Sequence, residues 1–250
     1  MNADDERLRV EDLSLASGAG SQDEVVRSGE IIGLAGLDGH GQEAFLETLA
    51  GLRKAHSGRV ILTSPDGGKV TVTGFRQATR FGIAYLARDR RANGIFPSLS
   101  ILDNFAMVTL GRDVRFGLIS AKRRRERFGT YRDRLSIIAP AGDSPITALS
   151  GGNQQKVLLA RWLAREPRVL LLNDPTRGVD QRTRETLYQT FRDLARKEGM
   201  ALVVLSSEIE EILRLCDRVL VFREQAMVAR LSGADMTNDA VIAAMFGRQT

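Results

Sequence analysis

At 250 residues, with 43% hydrophobic and 27% charged residues, the chain has enough apolar material for one large domain, or one domain with a subdomain, around a sound core. Its longest apolar runs, VLLL at 169–172 and LVVL at 202–205, are strand-sized and far short of the roughly 20 apolar residues that cross a bilayer. The polar, acidic start MNADDERLRV is no secretory signal, and a single cysteine, Cys216, excludes an intrachain disulfide and fits a reducing compartment. The formal net charge of +5 suits nucleic acid, anionic lipid or phosphate ligands.

LRVEDL and DEVVR read as two opening strands. EIIGLAG reads as a buried strand, followed by a glycine-rich turn and a helix, FLETLAG, that closes on Gly51 at its C-terminal cap. GRVILT and KVTVTG flank SPDGG, a strong turn signal, which predicts a hairpin. From GIAYLA onward the character shifts. Residues 98–138 are richer in helical periodicity and charge, with ILDNFAMVTL as the first clear helix. The densest basic run, AKRRRERFGTYRDR, is interrupted by Glu126 and Asp133 and carries no regularly spaced aromatics. It reads as a solvated helix rather than a nucleic-acid stripe.

After the loop APAGDSPITAL comes SGGNQQKVLLARWLARE, a helix that Ser150 is placed to cap and Pro167 to follow. Strand RVLLLN, helix QRTRETLYQTFRDLARKEG, strand ALVVLS, short helix EIEEILRL, strand DRVLVF and an appended helix NDAVIAAMFG complete the chain. Strands alternating with helices argue for a parallel sheet with right-handed crossovers. Cys216 and Trp162 read as core or near-core packing.

Two segments carry chemistry. Gly33, Gly36, Gly39 and Gly41 sit where the pattern G-x-x-x-x-G-K-[ST], with its upstream glycine, places them between a strand and a helix. That arrangement aims backbone N–H groups and a helix N-terminus at phosphate. Gln42 stands where the lysine belongs and Glu43 where the magnesium-binding hydroxyl belongs. A neutral amide cannot balance phosphate charge, and a carboxylate beside it repels. In the second segment, LSGGNQQK, Ser150 offers a hydroxyl and Gly151 and Gly152 offer unobstructed amides at a helix start, a further place for an anion.

LSGGNQQKVLLARWL followed by VLLLNDPTRGVD resembles the signature motif and Walker B segment of ABC transporter ATPases. With GHGQ in the loop, DPTRGVD and SSE at 206–208, the resemblance narrows to the C-terminal nucleotide-binding half of importers for monosaccharides such as ribose, xylose and galactose. It covers nearly the whole chain, and the ATPases of nucleoside importers are similar. It implies an α/β P-loop NTPase (RecA-like) core, an antiparallel β-subdomain and an ABC-type helical subdomain. Residues 1–250 are then a single nucleotide-binding domain, with the helical subdomain at about 90–155 and an appended segment at about 226–250. MNADDE suits a boundary inside a longer, fused parent.

Carried over residue by residue, the resemblance makes the chain's own site degenerate. Gly36, Asp38, Gly39, His40, Gly41, Gln42, Glu43 and Ala44 form its loop, with Arg88 at the Q-loop glutamine position. Asn173 replaces the Walker B aspartate and weakens the Mg2+ position. Asp174 is a shortened stand-in for the catalytic glutamate, and Ser207 occupies the switch-histidine position. Neither His40 nor His56 replaces that histidine, and no aromatic precedes Phe45 to stack on adenine. The signature residues Ser150, Gly151, Gly152, Asn153 and Gln154 are intact. The resemblance therefore implies that they face ATP and Mg2+ held by a second ABC nucleotide-binding half, with Gly178, Val179 and Asp180 at the same interface. It further implies transmembrane permease subunits, a periplasmic or extracellular sugar-binding protein acting indirectly, a place on the cytoplasmic face of the membrane, and no nucleic-acid partner. A nucleic-acid-associated ABC ATPase and a free-standing competent homodimer are the alternatives. The first lacks a long heptad arm, and the second requires Gln42, Asn173 and Ser207 all to be tolerated.

Overall fold

A strand covered on both faces needs apolar residues along its whole length, and Val169–Asn173 and Ala201–Leu205 are buried at every position. The computed structural model describes residues 6–64, 66–115 and 117–248. The first five residues, where the acidic start falls, lie outside them, as do Pro65 of the SPDGG turn, Phe116 and the last two residues. In chain order the elements begin with β1 (Glu6–Ser14), β2 (Gln22–Arg27), β3 (Ile31–Gly36), α1 (Gln42–Leu49), β4 (Ser57–Thr63), β5 (Lys69–Thr71), α2 (Phe75–Arg80) and β6 (Ile83–Leu86). They continue with α3 (Arg90–Asn93), α4 (Ile101–Ala106), α5 (Leu110–Asp113), β7 (Val114–Arg115), β8 (Leu118–Ile119), α6 (Ala121–Arg134) and α7 (Gly151–Leu163). Last come β9 (Val169–Asn173), α8 (Gln181–Glu198), β10 (Ala201–Leu205), α9 (Ile209–Leu215), β11 (Arg218–Arg223), β12 (Ala226–Ser232) and α10 (Asn238–Phe246).

The chain divides into two compact units. One runs to Tyr85 and adds Pro167–Pro175 and the chain from Phe191; the other joins Leu86–Glu166 to Thr176–Thr190.

The first unit holds a six-stranded sheet, β12-β11-β3-β10-β9-β6, and a four-stranded one, β2-β1-β4-β5. β3 runs parallel to β10 (Ile31 opposite Leu202) and to β11 (Ile32 opposite Arg218), and β10 runs parallel to β9 (Ala201 opposite Val169). The smaller sheet is antiparallel and includes the expected hairpin, with Leu62 opposite Val70. Phe45 of α1 meets Phe222 of β11 at 5.1 Å between ring centroids. α9 crosses β3 so closely that a Cβ on Gly33 would lie 2.4 Å from Ile212 Cγ2 and 3.1 Å from Cys216 Sγ. Cys216 is therefore core, and burial drives its thiol pKa well up.

β12 has no counterpart in the sequence reading. It pairs antiparallel with β11 through the two-residue turn Glu224-Gln225, both at left-handed φ (51° and 66°). Such turns usually carry Asn or Gly, so the pattern hides the hairpin.

In the second unit Phe105, Phe128 and Tyr131 stack around α4 and α6, with centroids 5.3 and 5.8 Å apart. α4 stops at Ala106, earlier than the run ILDNFAMVTL suggests. Thr109 Oγ1 donates to the Ala106 carbonyl at 3.1 Å, and Arg165 Nη1 takes the Val108 carbonyl at 2.9 Å. α7 ends at Leu163 with Ala164 as its C-cap, before the end of the run SGGNQQKVLLARWLARE, and Glu166 just ahead of Pro167 sits at left-handed φ 58°. Trp162 is half-buried. Among the described residues no helix is long and apolar enough to cross a membrane.

α7 is anchored by Arg161, which is 5% exposed. Its Nε donates to the Asn104 carbonyl at 2.6 Å, Nη1 to Gly94's at 2.7 Å, and Nη2 to Asn104 Oδ1 at 3.1 Å. Burial lowers its pKa to about 10, so it stays charged at neutral pH. Arg161→Met would strip this donor from the Asn104 and Gly94 carbonyls, while Asn104 Oδ1 would keep only the Phe96 N–H. It is expected to cost about 3 kcal/mol, read as an earlier urea midpoint, with the loss concentrated in the amide-exchange protection of α4 and α7.

Candidate functional site

β3 ends inside the six-stranded sheet and passes the chain through residues 37–41 into α1. Gly39 and Gly41 adopt φ of 81° and 113°, which a side chain opposes. A Cβ on Gly41 would also sit 2.9 Å from Gln225 Cα. Gln225 ties the loop from outside: its main-chain N–H donates to the His40 carbonyl at 2.9 Å, and its side-chain amide donates to the Gly39 carbonyl. Asp38 and Gly39 are exposed, Gly36 and His40 half-buried, and Ala44 buried.

Gln42, 5% exposed, folds back on the loop. Its Nε2 donates to the Leu37 and Gly36 carbonyls at 2.8 and 3.1 Å, while Oε1 is buried without a partner. A lysine here would carry an ammonium outward; this side chain is held by the loop itself. Asn173, 1% exposed at the end of β9, gives Nδ2 to Glu43 Oε1 at 2.9 Å and to the Tyr85 hydroxyl at 3.2 Å. An amide meeting a carboxylate must present its NH2 group, so the atom aimed at Glu43 is a donor, the opposite of what a cation requires. Among the described residues no group of three or more His, Cys, Asp or Glu is placed to hold a metal. Asn173 Oδ1 is buried without a hydrogen-bond partner, so what this position offers a cation is one neutral amide oxygen beside the exposed Glu43.

Beside the loop lies a cleft of about 460 Å³ whose walls include Leu15, Ala16, Glu43, Glu47 and Arg53. It presents no aromatic face for a base, and two of its side chains are carboxylates one helical turn apart. Asp174 sits at left-handed φ 45°; its N–H donates to the Leu205 carbonyl at 2.7 Å, and its Oδ1 accepts the Ser207 N–H at 2.7 Å. The carboxylate is thus bound to the turn after β10, where Ser207 is exposed and Ser206 hydrogen-bonds Glu211.

The LSGGNQ segment lies in the other unit. Ser150 is exposed and caps α7, accepting the Asn153 N–H at 3.4 Å and the Asn153 side-chain amide at 3.1 Å. Asn153 Oδ1 accepts the Ile138 N–H at 2.9 Å, and Gln154 turns its amide back on the Leu149 carbonyl at 3.1 Å. The two glycines sit in tight packing. A Cβ on Gly151 would lie 2.5 Å from Arg90 Nη2 and 3.2 Å from the Gly178 carbonyl, and one on Gly152 would lie 2.8 Å from Thr183 Cγ2. Asp180 caps α8 through Thr183, accepting its N–H at 3.0 Å and its hydroxyl at 2.8 Å. Arg88 is placed with Arg90, Arg91 and Arg177. Sequence reading missed the roles of Gln225, Tyr85, Arg90 and Arg177; the runs RDRR and DPTRGVD carried a visible signal for Arg90 and Arg177.

A sequence profile of the ABC transporter family matches residues 23–177. The chain belongs to the ABC transporter family. Its ATP-binding relatives include the ribose import ATP-binding protein RbsA of Yersinia pestis, 38% identical over 94% of this chain and 46% of that protein. A putative ribose/galactose/methyl galactoside import ATP-binding protein of Pseudomonas syringae pv. tomato is 38% identical over 96% of this chain and 45% of its own length. The chain thus spans about half the length of the curated relatives it matches. The fold is that of solved ABC cassettes. An ATP-binding cassette of an ABC transporter superposes with a TM-score of 0.79 at 17% identity, covering 97% of this chain and 98% of that one. A bacterial ABC transporter cassette solved as a dimer gives 0.74 at 22%, covering 90% and 98%. The α/β P-loop NTPase fold read from the motifs is therefore that of this ABC chain.

Burial, then the Glu43 charge, push the Glu47 carboxyl pKa up against a smaller pull from Arg53. A folded pKa above the unfolded one means that ionising Glu47 costs stability at neutral pH, and the cost vanishes below the unfolded carboxylate value. Glu47→Gln is expected to raise the melting temperature at pH 7 by about 1–2 °C, allowing for solvent screening. At about pH 3.5, below the unfolded value, circular dichroism melts of the two proteins should coincide.

Proposed function

We propose that this chain is one nucleotide-binding half of an ABC importer for sugars. In this reading it corresponds to the C-terminal half of its relatives and works by complementation. A second half, fused N-terminally in the parent, holds ATP and Mg2+ in an intact phosphate loop. This chain presents the Ser150 hydroxyl and the Gly151 and Gly152 amides to the terminal phosphate, while Asn153 and Gln154 steady that turn. Positioned N–H and O–H donors stabilise charge that develops on a transferring phosphoryl group, and their value rises when closure excludes water. Closure of the pair would move permease subunits at the cytoplasmic face of the membrane, with a sugar-binding protein supplying cargo from outside. Gly178, Val179 and Asp180 belong to the same interface.

The observation that carries the reading is the contrast between two anion sites of one chain. In the loop, the Gln42 amide is turned onto the chain's own carbonyls and Asn173 points NH2 at Glu43. At α7, an exposed hydroxyl stands over a helix start. Asp174, Ser207 and Arg88 take no part in phosphoryl transfer at the chain's own loop in this reading, and that loop binds nucleotide weakly.

In the assembled pair, Ser150→Ala removes one donor and one cap. It is expected to lower ATPase kcat by about 10- to 100-fold while costing only about 1 kcal/mol of stability. Gly151→Asp should abolish turnover in the same assay; undiminished turnover in both variants would falsify complementation. For the chain alone, the triple variant Gln42→Lys, Glu43→Ser, Asn173→Asp should bind MgATP at least about tenfold more tightly than the parent, from the restored charge contacts, by equilibrium dialysis. Brisk MgATP turnover by the unaltered chain in isolation contradicts the reading.

A further inference from the structure

A hydroxyl can give its hydrogen to a ligand or turn a lone pair towards it, and its neighbours decide which. The Ser150 oxygen accepts twice from Asn153, the third residue of α7: from the main-chain N–H at 3.4 Å and from the side-chain amide at 3.1 Å. With both lone pairs engaged, what the exposed Ser150 still offers is its hydrogen.

Which end of the Asn153 amide faces Ser150 is decided outside α7. Asn153 Oδ1 accepts the Ile138 N–H at 2.9 Å, and a main-chain N–H can only donate. The amide oxygen is therefore turned to Ile138 and the NH2 group to Ser150. Ile138 itself is 81% exposed, so its N–H, not its side chain, is what the unit uses. The turn that carries this N–H is fixed on both sides. Leu135 and Ile137 are buried, the Ser136 and Ile137 N–H groups donate to the Asp133 and Arg132 carbonyls at 3.2 and 2.8 Å, and Ser136 holds left-handed φ 49°. Lys156, buried three residues along α7 from Asn153, gives Nζ to the Ser136 carbonyl at 3.0 Å.

We propose that Asn153 is a positioning residue: held by the Ile138 N–H, its amide obliges the Ser150 hydroxyl to donate outward. The identity of the acceptor, the partner's terminal phosphate, rests on the complementation reading. The direction of the hydroxyl is a property of this chain alone. A carboxylate introduced by Asn153→Asp has the same shape and still accepts from Ile138, but its second oxygen also only accepts. The Ser150 hydroxyl then turns inward to that oxygen and leaves a lone pair facing the phosphate.

Neutron diffraction from crystals of the deuterated chain tests the direction. It should place the Asn153 side-chain deuterons towards Ser150 Oγ and the Ser150 deuteron away from Asn153; a hydroxyl deuteron on the line to Asn153 overturns the proposal. In the assembled pair, Asn153→Asp should lower ATPase kcat about 10- to 100-fold, as losing one aimed donor does. The melting temperature should hold, because a carboxylate in the first turn suits the helix. In a Ser150→Ala background the same change should cost less than about threefold more, since no hydroxyl remains to turn. A plain charge effect on the phosphate would persist there at full size. Fully multiplicative losses, or unchanged kcat in Asn153→Asp beside a loss in Ser150→Ala, overturn the proposal and leave complementation standing. Unchanged kcat in Ser150→Ala defeats complementation instead, and the neutron map then decides the hydroxyl's direction by itself.

Discussion

An amide hydrogen already donated to a carbonyl is not available to a ligand, and this simple exclusion governs the molecule's chemistry. Gln42 satisfies the Leu37 and Gly36 carbonyls from inside the loop, so its side-chain amide hydrogens are committed to the protein itself. Asn173 extends the effect by one residue, since its NH2 group holds the one carboxylate that stands where a magnesium-binding hydroxyl would be. Two neutral side chains thus close hydrogen bonds on the loop and on Glu43. The surrounding framework sets β3 between β10 and β11 and holds the loop's Gly39 and Gly41 at left-handed φ.

The start of α7 is held by a different constraint. A Cβ on Gly151 or Gly152 would press on the Arg90 guanidinium, the Gly178 carbonyl and the Thr183 side chain, each of which would have to shift. The helix start, the 176–180 turn and the start of α8 are consequently one packed object. On the proposed reading this matters more than flexibility: donors aimed at a developing charge act only if they are already in place when it develops. Arg161 fixes the far side of the same helix through three buried carbonyl-type acceptors, so both ends of α7 are pinned.

Much of this was legible in the residues. Continuous apolar runs named the buried parallel strands, SPDGG named the hairpin, and the spacing from LSGGNQ to DPTRGVD named the family. What stayed hidden has identifiable causes. The β11–β12 hairpin turns through Glu224-Gln225, which lack the glycine or asparagine that normally announces left-handed φ. α4 stops at Ala106, short of its run, and just beyond it Arg165 takes the Val108 carbonyl from far along the chain, a contact no local pattern encodes. The direction taken by Gln42 and Asn173 is likewise a tertiary fact. Composition says an amide is present; only packing says which atoms it faces.

The Glu224-Gln225 turn reaches back 186 residues to hold the Gly39 carbonyl. The C-terminal stretch is therefore a brace for the nucleotide loop and not a detachable tail. Trimming the chain after β11, or grafting a conventional Asn-Gly bend in its place, would leave the loop short of an anchor while sparing every residue of the loop itself.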